Sequence, residues 1–204
     1  MIMKKIMFND EFGLTQAVLE GRKTMTRRLI PQKVIDAYYD YEDAYCSINF
    51  GGVTAASMTE FLCGCSRYYV GDVLAIAQSY NDVIEEWKKG YGQGFCFSPK
   101  DRAGMTNKMF VRSEEMPHHI KITNIRVERL QDISDEDCLR EGVYMDYDEH
   151  GGLYNTPYYD YPNNEHDGFD TPREAFAALI DKVSGKGTWD SNPMVWVYEF
   201  ELVD

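Results

Sequence analysis

The sequence predicts an α+β protein: a small, partly open β-barrel with flanking helices. Three observations predict it. Short segments of two-residue apolar periodicity recur along the chain, with helical patterns between and outside them. Strands and helices do not alternate regularly, which argues against a doubly wound parallel sheet. The segment His119–Leu130 changes apolar phase midway, because Ile120 and Ile122 share one parity and Ile125 and Val127 the other. An extra residue at Thr123-Asn124 restores the inward face, as expected where a strand turns a barrel corner.

The elements follow in order. Lys5–Phe8 reads as a short strand. Asn9 or Asp10 caps a helix running to about Glu20, because Phe12, Gln16 and Leu19 fall near one face. Gly21 ends that helix. Thr24–Leu29 alternates, with Thr24, Thr26 and Arg28 on one face and Met25, Arg27 and Leu29 on the other, and Pro31 stops it. Val34–Tyr45 predicts a tyrosine-rich helix, Gly51-Gly52 a break, and Ala55–Leu62 a short helix or a loop. Tyr68–Ile76 gives a turn at Gly71-Asp72 and then an apolar strand. Residues 81–107 carry Gly90, Gly92, Gly94 and Gly104 and read mostly as loop. Lys108–Arg112 and His119–Leu130 read as strands. Ser134-Asp135-Glu136-Asp137 resembles a capping box that opens a short helix through Glu141, and Gly142 ends it. Thr171-Pro172-Arg173-Glu174 opens another helix, whose stripe of Phe176, Leu179, Ile180 and Val183 is core; Gly185 and Gly187 end it. In the final strand, Met194–Leu202, the face carrying Trp196, Tyr198, Phe200 and Leu202 opposes Val195, Val197, Glu199 and Glu201. No repeat is visible. Residues 1–204 read as one domain with insertions at about 31–66, 81–107 and 143–170.

Composition narrows the function classes. Of 204 residues, 44% are apolar and 27% charged, ordinary for a soluble globular domain. No apolar run reaches membrane-spanning length, and MIMKKIMFND is not a secretory signal. Five cysteines without such a signal fit free thiols in a reducing cytoplasm. Cys63-Gly64-Cys65 has no second cysteine pair at zinc spacing, and His118-His119 is remote from it, so neither a metal nor a cofactor is expected. GYGQG follows no clear strand and is not a phosphate cradle. The net charge of -13, from 34 acidic and 21 basic residues, argues against extended duplex binding, which needs a broad basic surface. A small polar ligand, or a short single strand held at one cationic spot, remains compatible.

That spot is GRKTMTRR, Gly21–Arg28, with four cations and two threonines. Lys23 sits at a helix-to-strand junction, three residues before Thr26. Burial, or the nearby Arg22, Arg27 and Arg28, lowers the pKa of such a lysine and lets it act as a base toward a hydroxyl. Lys23 and Thr26 also suit simple binding of a carbonyl or phosphate oxygen. A solvated basic turn is the plain alternative. Glu141 closes its short helix, so its side chain need not enter the core. Residues 143–170 hold seven acidic residues, six tyrosines and no Lys or Arg; they read as an acidic surface insert in preference to a lid over a substrate.

Four segments in this order, VLEGRKTMTRRLIPQ, YYVGDVLAI, ITNIRVERLQDISDEDCLREGV and WVYEFELV, resemble the ASCH-domain family in the long form common in phages and prophages. The resemblance implies a PUA-like β-barrel that binds RNA, a modified nucleoside or a nucleotide. In a small single-domain bacterial branch it implies hydrolysis of N4-acetylcytidine-type amides by a lysine, a threonine and a glutamate. The motif carries these roles to Lys23, Thr26 and Glu141, with Arg28 matching an arginine beside the site. By that resemblance Lys23 deprotonates Thr26, Thr26 attacks the acyl carbonyl, and Glu141 orients Lys23 or passes a proton to the leaving amine. Arg28, Arg22 and Thr24 are the candidate ligand-binding residues, with Arg22 and Arg27 supporting the site or solvated. The expected partner is a nucleoside, a modified base or a short single-stranded RNA, with no membrane. A third reading is a phage interaction protein whose acidic Tyr-rich insert engages a host factor or mimics nucleic acid.

Overall fold

The computed structural model describes residues 3–47, 56–91, 102–147, 157–164 and 168–203. In chain order the elements are β1 (Lys4–Ile6), α1 (Leu14–Leu19), β2 (Met25–Leu29), α2 (Gln32–Ser47), α3 (Met58–Gly64), β3 (Val73–Ile76) and α4 (Tyr80–Tyr91). Then come β4 (His119–Arg129), α5 (Asp135–Arg140), β5 (Tyr144–Tyr147), β6 (Pro157–Asp160), α6 (Pro172–Ser184), α7 (Thr188–Ser191) and β7 (Met194–Leu202).

The protein is α+β. One five-stranded mixed sheet runs β1-β3-β4-β7-β2, and β5 and β6 form a separate two-stranded sheet. Only β1–β3 is parallel; the other neighbours are antiparallel. Residues at alternate positions of β4 and β7 pack inward with α1 and α6, burying Ile120, Ile122, Val195, Val197, Leu14 and Phe176. The β4 phase slip is a bulge: the pairing with β7 shifts between Ile122 and Asn124, so Thr123 is the extra residue. Downstream of it, the half-buried Ile125 and Val127 still pack against the core.

The sheet is open, with β1 and β2 as its edges, and the described strands close no barrel. A side chain spans the gap instead. Arg28 on β2 donates from Nη2 to the Met7 carbonyl, just past β1, at 2.5 Å.

Capping residues set several boundaries. Ser57 with Glu60, and Thr171 with Glu174, form reciprocal capping boxes. Ser134 accepts from the Asp137 amide, half of the box its sequence resembles. Gly21 and Gly142 end α1 and α5 with φ of 72° and 111°, backbone that favours glycine.

Four expectations are corrected. The first helix begins at Leu14, not after Asn9 or Asp10, because residues 9–13 form turns ending at left-handed Gly13; Asn9 caps the Glu11 amide there. Residues 81–91 of the expected loop belong to helix α4, since Ser79 and Asp82 cap it reciprocally and Tyr80 and Val83, with Trp87, fill a second apolar cluster. Lys108–Arg112 is not a strand: Lys108–Phe110 is a short 3-10 turn capped by Asn107, and its apolar Met109 and Phe110 are exposed. The stretch 143–170 is not wholly surface, because Tyr161, just after β6, is buried against Phe12 and Phe169. The expectations for Gly51-Gly52, Gly92, Gly94 and Cys96 lie outside the described residues. Among the described residues no helix is long and apolar enough to cross a membrane.

Candidate ligand-binding cleft

The GRKTMTRR segment is held from three sides. Lys23 N–H donates to the Ala17 carbonyl of α1 at 2.9 Å, Thr24 N–H to the Arg140 carbonyl of α5 at 3.0 Å, and Phe200 N–H of β7 to the Thr24 carbonyl at 3.0 Å. These bonds aim the Lys23 side chain inward, beneath the end of α5. Gly142 leaves room for it: a Cβ there would lie 3.6 Å from Lys23 Cδ and 3.0 Å from Leu14 Cδ2.

Lys23 is 2% exposed and Glu141 4%. Lys23 Nζ donates to Glu141 Oε2 and to the Glu141 carbonyl, both at 2.6 Å. A carbonyl at a helix C-terminus is a favourable partner for a cation. Burial pushes the Lys23 amine below its usual range, with Glu141 opposing the shift and Arg28 and Arg27 adding to it. Two of the ammonium's three protons are thus committed and one remains for a ligand.

Arg27 completes this buried cluster. Its Nη1 donates to Glu141 Oε1 at 3.1 Å, its Nη2 to Glu128 Oε1 at 2.6 Å and to Asp137 Oδ2 at 3.0 Å. Burial opposes the guanidinium charge, but Glu141, Glu128 and Asp137 outweigh it and raise the Arg27 pKa. Arg126 and Arg140 extend the network through Asp137 and Glu199. Arg27 is therefore buried, not solvated, and supports the site through Glu141. Strand alternation assigned it to the face opposite Thr26, and only the fold brings Glu128 and Asp137 to it. Its charge between apolar Met25 and Leu29 was the available signal, since a cation on an inward face needs partners.

A cleft of about 210 Å³ opens above this cluster, between the segment after β1, strand β2 and helix α6. Lys23, Thr26, Arg28 and Glu141 all line it, with Leu14, Phe176 and Leu179 among its apolar walls. The Thr26 side chain makes no hydrogen bond among the described residues, and Lys23 turns to Glu141 instead of to it. Phe8 forms another wall, its ring centroid 5.9 Å from Lys23 Nζ and 6.0 Å from Arg28 Cζ.

Two expected ligand-binding residues lie outside. Arg22 is exposed and pairs with Glu20 at 2.6 Å. The Thr24 hydroxyl accepts from Arg140 Nε at 3.2 Å and does not line the cleft. No described residue of 143–170 lines the cleft, so the described part of the insert forms no lid there.

Among the described residues no group of three or more His, Cys, Asp or Glu is placed to hold a metal ion. Cys138, buried beside the cluster, has its thiol pushed up to about 12 by burial, so it is inert as a nucleophile. A larger hollow of about 550 Å³ lies between α1 and α4. Asp10, Asp82, Glu85 and Glu86 line it, and that charge disfavours anionic ligands. No family model, curated protein or solved structure matches this chain.

Proposed function

We propose that the cleft binds a nucleoside or modified base in an ASCH-type, PUA-like protein, the open sheet with Arg28 between its edges corresponding to a partly open barrel. One observation carries the reading: Lys23, Thr26, Arg28 and Glu141, which the motif resemblance singles out, line one cleft of about 210 Å³. That size suits one ring system, not a drug-sized ligand. The apolar walls suit ring faces, while the Arg28 guanidinium, the third Lys23 proton and the Thr26 hydroxyl suit ring oxygens and nitrogens.

Calorimetric titration with cytidine and N4-acetylcytidine tests this. Arg28→Ala and Thr26→Val should each weaken binding, Arg28→Ala by roughly tenfold or more given what hydrogen bonds to charged groups contribute. An affinity indifferent to both changes sinks the proposal.

A second reading, amide hydrolysis, is favoured by one further observation: burial lowers the pKa of Lys23, which lines the same cleft as the unbonded Thr26 hydroxyl. Neutral Lys23 takes the Thr26 proton, and Thr26 Oγ1 attacks the acyl carbonyl. The amine leaves with a proton returned through Lys23 or Glu141, and water then cleaves the acyl ester. Chromatography should show N4-acetylcytidine converted to cytidine and acetate, and Lys23→Ala and Thr26→Ala abolishing it. Binding without turnover by wild type would retain the first reading and remove the second.

A further inference from the structure

The cleft does not end at Arg28. Arg28 also lines a second cavity, of about 250 Å³, on its other side. Lys5, Met7, Arg67, Tyr68, Trp196 and Tyr198 complete that cavity, and no carboxylate is among them. A third and shallower hollow of about 380 Å³ follows, sharing Lys5 and Arg67 with the second and adding Lys4 and Arg112. Glu114 is the one carboxylate lining either of these two hollows among the described residues. In a chain with 34 acidic and 21 basic residues, the second and third hollows are lined by Lys4, Lys5, Arg28, Arg67 and Arg112 against the single carboxylate of Glu114.

The cations differ in what they have to spare. Lys4 Nζ is committed to Asp72 at 2.9 Å, and Lys5 Nζ to the Met109 and Val111 carbonyls at 2.7 Å each. Arg67 and Arg112 are exposed, and their guanidinium groups make no ion pair or hydrogen bond among the described residues. Arg67 charge adds to burial in lowering the Lys5 pKa, which puts positive potential at the second cavity.

The aromatic walls are equally defined. Trp196 Nε1 donates to the Leu62 carbonyl at 2.7 Å, the Tyr198 hydroxyl bonds Ser66 Oγ at 2.7 Å, and the Tyr68 hydroxyl donates to the Lys5 carbonyl at 3.0 Å. With their polar atoms satisfied by the protein, these nearly buried side chains border the cavity with ring carbon, and the Arg67 guanidinium lies over the Tyr68 ring, 5.5 Å from its centroid.

We infer that the second cavity is a subsite for the next unit of a single-stranded nucleic acid, with Arg28 and Arg67 meeting the phosphate between two bases. This rests on the nucleoside reading of the first cleft. Two ring-sized hollows joined over a guanidinium match the alternation of base and phosphate in a strand. Apolar ring walls tolerate any base, and Arg67, with no ion pair or hydrogen bond among the described residues, suits phosphate oxygens beside the Met7-anchored Arg28. The remaining path toward Arg112 would carry a following phosphate.

The test is equilibrium binding of cytidine, the dinucleotide CpC and its deoxy counterpart, at low and high salt. Wild-type protein should bind a dinucleotide on the order of tenfold tighter than cytidine, since the second unit binds intramolecularly. That gain should shrink with salt. Arg67→Ala, at an exposed position with folding checked by its melting curve, should remove most of the gain and leave cytidine affinity unchanged. A gain in either sugar form supports the subsite; a gain in neither overturns it. A gain that survives Arg67→Ala also overturns it. If cytidine binds and the dinucleotide adds nothing, only this inference falls. If no probe binds, the nucleoside reading falls with it.

Discussion

Lys23 Nζ lies 2.6 Å from both the carbonyl oxygen and Oε2 of Glu141, across 118 residues of sequence. The contact joins the turn after α1 to the end of α5, and both ends are nearly sealed from water. Pairing keeps a buried cation tolerable, and the same pairing points the remaining Lys23 proton toward the cleft.

Breaking one side of this pair should cost more than replacing both. Glu141→Gln leaves the Lys23 ammonium buried against a neutral amide, an expected loss of roughly 3–5 kcal/mol. The double variant Lys23→Met, Glu141→Gln should recover part of that loss, because the buried ammonium is gone and Arg27 keeps Glu128 and Asp137. Urea unfolding at neutral pH measures both. Strictly additive losses would show that the two side chains are not energetically coupled.

Arg27→Lys should destabilise despite conserving charge. The guanidinium reaches Glu128, Asp137 and Glu141 at once, and a single ammonium cannot. We expect a loss of roughly 1.5–3 kcal/mol, the range for hydrogen bonds to charged groups. Arg22→Lys, at an exposed pair with Glu20, should stay within about 0.5 kcal/mol. Equal melting temperatures for the two variants would contradict the network.

The buried cluster shows what was legible in the sequence and what was not. Lys23, Thr26 and Arg28 stood out as part of one local cationic run, but strand alternation did not sort that run: Thr26, Arg27 and Arg28 all line the cleft and Thr24 does not. Glu141 required the resemblance, since one acid among 34 has no local mark. Arg27 was left between a supporting and a solvated role because its partners come from β4 and the α5 end, and no spacing rule joins elements so distant. The α4 helix was missed where Gly90 and Gly104 outweighed the Ser79–Asp82 cap and the Tyr80, Val83 and Trp87 stripe. The β4 bulge, by contrast, was readable because a pleated strand cannot change apolar parity without an extra residue.

Gly142→Ala should be worse than Gly21→Ala. Both positions have positive φ, 111° and 72°, so both acquire backbone strain. At Gly21 an added Cβ meets nothing within 4 Å, whereas at Gly142 it comes within 3.0 Å of Leu14 Cδ2. We expect about 1 kcal/mol for Gly21→Ala and about 2–3 kcal/mol for Gly142→Ala. Chemical denaturation gives the order. The reverse order would mean that α5 ends differently.

The pH dependence of stability should carry the signature of Lys23. Its folded pKa is lowered from 10.5, chiefly by burial. Between the folded and unfolded values the unfolded chain binds more protons, so this group makes stability rise with pH across that window. The contribution is complete above the unfolded pKa and is lost as pH falls through the folded one. Tyr68 and Tyr198 act oppositely, because burial raises their pKa values and costs stability as pH climbs past their unfolded value of 10.0. The clean observable is therefore the difference between wild type and Lys23→Met, followed by urea unfolding from pH 7 to the alkaline limit. That difference should change with pH in favour of wild type below pH 10.5, the ordinary value for Lys23. Glu141→Gln removes the chief group holding the Lys23 pKa up, so its window should begin at lower pH than that of wild type. A wild-type minus Lys23→Met difference that is flat with pH would show that Lys23 titrates as an ordinary solvated lysine.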